Sequence, residues 1–124
     1  MTPKEVFEHH GNAIGAGDVD EILKDYTEQS VLFTQDGPLR GPAAMRPAFQ
    51  RLVTELMPPG GTEFEMKQLT IDGEIVYIAW SSSSRFADIP LGTDTFVIRN
   101  GKIVAQTFTA QIIPRKKVPR TSTG

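Results

Sequence analysis

A chain of 124 residues, 39% hydrophobic and 23% charged, has the size and composition of one globular domain and is too apolar for intrinsic disorder. It contains no cysteine, which excludes a disulfide scaffold, thiolate metal sites, iron–sulfur clusters and cysteine nucleophiles. The net charge of −2 hides an asymmetry: Arg115, Lys116, Lys117 and Arg120 leave 9 basic against 15 acidic residues on the body, a balance that repels a polyanion and argues against nucleic-acid binding.

The chain opens with a helix signal. Thr2 can cap it, Pro3 suits the first helical position and Glu5 completes a capping box. Val6, Phe7, His10, Ala13 and Ile14 recur at helical spacing, so one stripe is apolar except for His10, and Gly15 and Gly17 end the helix. Asp18 with Glu21 repeats the capping signal. Val19, Ile22, Leu23 and Tyr26 then form the buried stripe of a second helix. Val31 to Thr34 reads as a strand, Asp36-Gly37-Pro38 as a turn, and Pro42 to Met57 as a third helix that Pro47 kinks or delays. Pro58-Pro59-Gly60-Gly61 is a firm break.

Four antiparallel strands follow: Phe64 to Ile71, Ile75 to Arg85, Thr93 to Arg99 and Lys102 to Ile113, with a loop through Asp88-Ile89-Pro90. Asn100-Gly101 predicts a two-residue hairpin turn, in which both central residues take positive φ. Helices first and strands last imply an α+β domain with helices on one face of a curved sheet. The chain divides into a domain over 1–113 and a basic tail over 114–124, read as a solvated end or a strap on a partner subunit. The longest apolar run, Ile75 to Trp80, is far short of the ~20 residues of a membrane span, and Met1 to His10 lacks the pattern of a signal peptide. The expectation is a soluble, cytoplasmic protein.

The run Ala16-Gly17-Asp18-Val19-Asp20, then Ile22-Leu23-Lys24-Asp25-Tyr26, Val31-Leu32-Phe33, Asp36-Gly37 and Leu39-Arg40-Gly41 before a helix, resembles the nuclear transport factor 2-like superfamily, especially its SnoaL-like branch. Asp94-Thr95-Phe96 followed by Arg99-Asn100-Gly101-Lys102-Ile103-Val104 matches that family's final hairpin, and the likeness spans residues 4 to 113. The resemblance implies a cystatin-like cone: three N-terminal helices packed on a curved antiparallel sheet, enclosing one pocket, in a homodimer joined through the sheets. It does not choose an activity, because the superfamily holds isomerases, cyclases, dehydratases, hydrolases and non-catalytic modules.

Asp94 shares the parity of the apolar Phe96 and Ile98, which sends its carboxylate to the inner face, where burial raises its pKa and suits it to acid–base work. Its position resembles that of the steroid isomerases' oxyanion-hole aspartate. The structural alternative is a pairing with Arg85 or a backbone amide. His10 points where the first helix packs on the sheet and matches the place of the isomerases' oxyanion tyrosine; the alternative is a packed histidine bonded to a carbonyl. His9 lies round the helix beside Glu5 as a solvated or interface residue. Tyr26, Trp80 and Phe96 are candidate walls of a ligand site, with core packing the alternative for Tyr26 and dimer packing for Trp80 and the serines after it.

Alignment through Gly17-Asp18 puts Thr34 where the isomerases carry their general-base aspartate, so steroid isomerase activity is not expected. Thr34 is instead a candidate ligand contact. Neither a metal site nor a nucleotide cofactor is indicated, since the two histidines fall on different helix faces and no phosphate-binding glycine loop follows a strand. Two readings stand: a cofactor-independent acid–base enzyme on a small apolar, carbonyl-bearing molecule, with Asp94 and His10 catalytic, or a ligand-binding or dimeric association module without turnover.

Overall fold

The computed structural model describes residues 1–115. Helix α1 spans Pro3–Ala16, opened by the expected capping box at Thr2 and Glu5 and closed at Gly17, whose φ of 67° lies in the left-handed region. Gly15 lies inside this helix rather than at its end. Helix α2 is only Val19–Leu23, capped by Asp18. Tyr26 is therefore not part of a helical stripe: it begins strand β1, Tyr26–Thr34, which starts earlier than the apolar pattern indicated. Strand β2, Gly37–Arg40, folds back on β1.

Helix α3 runs Pro42–Arg51 straight through Pro47. Pro47 is exposed, so its missing N–H costs one hydrogen bond on a solvated face and does not delay the helix. The departure from α geometry comes later, at a π turn over Leu52–Leu56, where Met57 N–H donates to Leu52 C=O.

The remaining strands are β3 (Thr62–Asp72), β4 (Ile75–Ser84), β5 (Ala87–Arg99) and β6 (Lys102–Pro114). Asp88-Ile89-Pro90 is not a separate loop. It lies within β5, where the register with β6 shifts between Asp88 and Leu91, the kind of bulge that tolerates a proline in a sheet. Asn100 and Gly101 take φ of 53° and 76° in the β5–β6 turn, as the sequence requires.

The six strands form one sheet in the order β2-β1-β6-β5-β4-β3. The fold is the α+β arrangement expected, and among the described residues its one parallel pairing is β1 with β6, strands joined through all the intervening elements. Further register shifts interrupt β3–β4 and β4–β5, and such bulges bend the sheet around the helices. Its concave face meets Val6 and Ile22 from α1 and α2, and Met45 and Phe49 from α3, over Val76, Phe96, Ile98 and Ile103. Burying an apolar side chain of this size contributes about 1.5–3 kcal/mol, so the helix–sheet contact dominates stability.

Beyond Ile113 the body continues. Arg115 donates its backbone N–H to Phe86 C=O and pairs with Asp88 through its guanidinium. The remaining tail residues, 116–124, lie outside the described residues.

Candidate functional site

Helices and sheet enclose a cavity of about 1140 Å³. Its walls are largely apolar: Phe7 and Ile14 from α1, Phe49 from α3, Leu32 from β1, and Ile78, Phe96 and Phe108 from the sheet. Exposed Asn12, Gln35 and Asp36 also border it. Alternation along β4 turns Val76, Ile78, Trp80, Ser82 and Ser84 inward, which settles which face of that strand lines the cavity.

Asp94 points into this space from β5, 7% exposed, in the parity of Phe96 and Ile98. It pairs with neither Arg85 nor a backbone amide. The Trp80 indole Nε1 donates to its Oδ1 over 2.8 Å and the Gln106 amide Nε2 to its Oδ2 over 2.9 Å. Tyr26 in turn donates its hydroxyl to Gln106 Oε1. A chain of donors thus crosses four neighbouring strands, β1, β6, β5 and β4, and converges on one carboxyl group. Burial pushes the Asp94 pKa up to about 6, against the downward pull of its two hydrogen bonds. Burial also raises the Tyr26 phenol well above its ordinary range, with the charges of Asp94 and Asp25 adding to the effect, so Tyr26 remains a donor at neutral pH.

Trp80 faces the cavity and not a partner subunit's sheet. Its ring lies near Phe64 and Phe108 in stacked orientation, with centroids 5.7 and 6.4 Å away. It also covers Gly92, where a Cβ would come 2.4 Å from the indole. Gly92 therefore provides the space that lets the ring cross β5 towards Asp94.

His10 is 2% exposed and borders the same cavity, held edge-on by Tyr26, Phe49 and Phe96. Burial, with a smaller contribution from the His9 charge, lowers its pKa to about 4, so it is neutral at pH 7. Among the described residues its Nδ1 has no hydrogen-bond partner, so the structure does not show a core histidine bonded to a carbonyl. His9 is not a solvated neighbour of Glu5: its Nδ1 bonds Asp25 and its Nε2 bonds Glu21, each at 2.8 Å.

Thr34 borders the cavity, but its hydroxyl donates to Gly37 C=O over 2.9 Å and accepts from the Asp36 N–H, which engages it in the β1–β2 turn. Sequence reasoning missed Gln106, Gly92 and Asp25. Gln106 carried a signal, a polar side chain in the inward parity of Phe108 and Ala110. Gly92 and Asp25 carried none, because their roles depend on side chains 12 or more residues away.

The arrangement combines an apolar chamber with a carboxyl group poised near neutrality and a neutral imidazole, a pair able to accept, hold and return a proton.

Known proteins share this architecture. The model of the SnoaL-like domain matches residues 7–106. No curated protein matches the sequence. Among solved structures, an NTF-2 like protein of unknown function from Burkholderia xenovorans is 20% identical, with 98% of this chain and 90% of that one covered and a TM-score of 0.69. An epoxide hydrolase/cyclase-like enzyme, SalBIII, described in pyran ring formation in the polyether salinomycin, is 24% identical, with 88% and 90% covered and a TM-score of 0.71. A putative polyketide cyclase from Sinorhizobium meliloti is 17% identical, with 85% and 94% covered and a TM-score of 0.68. At these identities the likeness establishes the fold.

Proposed function

This chain belongs to the SnoaL-like domain family, and from that premise we propose that it is a cofactor-independent acid–base catalyst acting on a small, mainly apolar, carbonyl-bearing molecule held in the cavity. The observation that carries the reading is Asp94, a carboxyl group buried in an apolar wall with its pKa at about 6. A base is most effective when its pKa lies near the working pH, and burial has moved this one there from the ordinary carboxylate range. Asp94 accepts a proton from the ligand, and the Trp80 and Gln106 donors stabilise the anionic form while fixing its direction. His10 supplies the second polar contact. Phe96 and Trp80 shape the wall, Tyr26 stands behind it as the donor to Gln106, and Thr34 adds a contact at the β1–β2 turn. The cyclase-like relatives of the same fold support isomerisation, cyclisation, dehydration or hydrolysis as the reaction class.

The second reading, a ligand-binding or association module, is favoured by one observation: both Asp94 oxygens already accept from internal donors. Exchange of α-carbon protons separates the two. In deuterated water, a panel of hydrophobic cyclic and aromatic ketones is expected to include members that exchange catalytically, with a rate rising through a midpoint near pH 6 and lost in Asp94→Asn. Saturable binding without exchange would assign the cavity to binding alone.

The functional unit in this proposal is a homodimer joined through the outer sheet face. Phe33, Ile75, Leu91 and Ile113 support it, since all are 46–48% exposed and their register places them on the convex side.

A further inference from the structure

Two consecutive histidines of α1 face one carboxylate. Asp25 is 4% exposed and its position is pinned from both sides, its N–H donating to Ile22 C=O at the end of α2 and its C=O accepting from Ile103 N–H on β6. Both of its oxygens lie 2.8 Å from His9 Nδ1. On its other side His10 Nδ1 lies 3.8 Å from Oδ2. That nitrogen is buried without a hydrogen-bond partner among the described residues, and a buried polar atom left unpaired is costly. A small rotation of the His10 ring or of the Asp25 carboxylate closes the gap, and contacts of this kind are commonly long in unliganded sites.

We propose that Asp25 is a positioning residue for His10, a carboxylate shared with His9 that holds the proton of His10 on Nδ1 and so presents Nε2 to the cavity as an acceptor. A carboxylate behind one ring nitrogen fixes the tautomer of a neutral imidazole and orients the other nitrogen. The consequence rests on the acid–base reading and extends it: with Asp94 and His10 both accepting, the ligand carries a hydroxyl or enol O–H in addition to its carbonyl. His10 Nε2 takes the proton of that O–H, leaving the ligand oxygen with its electron pair, and the resulting imidazolium is paired with Asp25. His9, part-exposed and bonded to Glu21 as well, competes for the same carboxylate. Protonated His9 donates to Asp25 and Glu21 together, whereas neutral His9 can donate to only one of them, which weakens its hold on Asp25.

The charged and titratable groups around this pair are His9 on α1, Glu21 on α2, Tyr26 on β1, Lys102 on β6 and, beyond Tyr26, Asp94 on β5. The first three reach it through contacts already described. Burial raises the pKa of Asp25, while the hydrogen bond and charge of His9 and then the charge of Lys102 oppose that rise.

Nitrogen-15 NMR of the imidazole rings in the free protein tests the inference without any ligand, so it can fail while the acid–base reading stands, and the reverse. In the wild type at pH 7, His10 is expected as the neutral tautomer protonated on Nδ1. In His9→Gln, which keeps Asp25 in place and removes the competitor with its charge, the His10 midpoint is expected to rise by ~1 pH unit, and to rise clearly less in the His9→Gln, Asp25→Asn double variant, where the carboxylate charge is also gone. In Asp25→Ala the Nδ1 preference is expected to be lost. A wild-type His10 protonated on Nε2, or a His10 whose tautomer is the same with and without Asp25, would overturn the proposal. The wild-type tautomer, with the comparison of His9→Gln against its Asp25→Asn double variant, decides it even where Asp25→Ala fails to fold.

Discussion

Trp80 donates its indole N–H to Asp94 over 2.8 Å although its register partner on β5 is Gly92. The ring crosses the glycine diagonally, and the bond exists because nothing stands at Gly92 to block it. Gly92→Ala should therefore displace the indole, destabilise the fold by about 1–3 kcal/mol through overpacking and separate Trp80 from Asp94. Trp80 is the only tryptophan, so its fluorescence reports the displacement directly. An unchanged emission spectrum would show that the ring does not depend on that gap.

The Asp94 carboxyl is less acidic folded than unfolded, so its ionisation costs stability as pH rises from about 4 through about 6. The shift corresponds to about 3 kcal/mol at most. Asp94→Asn removes this burden and keeps the shape. The Gln106 amide can turn over to face the new Nδ2 with its oxygen, and the Tyr26 hydroxyl can then accept. The advantage of the Asn variant should grow from pH 5 to pH 8 in urea melts. A variant that loses most stability at pH 8 would mean that the two donors outweigh burial.

The same hydrogen bond makes Trp80 a reporter of Asp94. Its emission should titrate in the wild type with a midpoint near pH 6, and this transition should be absent in Asp94→Asn. A flat wild-type profile between pH 5 and pH 8 would place the carboxyl pKa elsewhere.

His10 has the opposite sign. Its folded pKa of about 4 lies below the unfolded value of 6.5, so the unfolded chain binds the extra proton and stability falls as pH drops from 6.5 towards 4. His9 opposes this, because the hydrogen bonds it donates to Glu21 and Asp25 raise its pKa, and its contribution is fully present below pH 6.5 and lost as pH rises through the folded value. Comparing wild type with His10→Leu isolates the first effect: the variant should gain relative stability between pH 7 and pH 4.5. Parallel pH profiles for the two proteins would refute the buried, neutral assignment.

Sedimentation should give a dimer at tens of micromolar, and Val97→Lys, a charge placed on the convex face, should yield monomers. A wild-type monomer across that range would remove the outer face as the interface.

Local chemistry made much of this protein legible from its sequence. The capping box at Thr2 and Glu5, the Asp18 cap and the Asn100-Gly101 turn are each satisfied within four residues, so a short window contains the whole cause. Period-two alternation likewise sent Asp94 inward, because the parity of a strand is a local property. Asp94, His10, Trp80, Phe96 and Thr34 line one cavity, and Tyr26 lies behind it against Gln106. What the sequence could not contain is who meets whom. Tyr26 became a strand residue because β1 pairs with β6, 77 positions later at Ile103, and that tertiary pairing overrode a helical pattern. The partners of Asp94, the glycine beneath Trp80 and the carboxylate between His9 and His10 are all choices of register and packing across the sheet. Those choices fix desolvation and hydrogen bonding, and these in turn determine whether a carboxyl or an imidazole holds its proton, which is why the chemistry of the site was decided only in three dimensions.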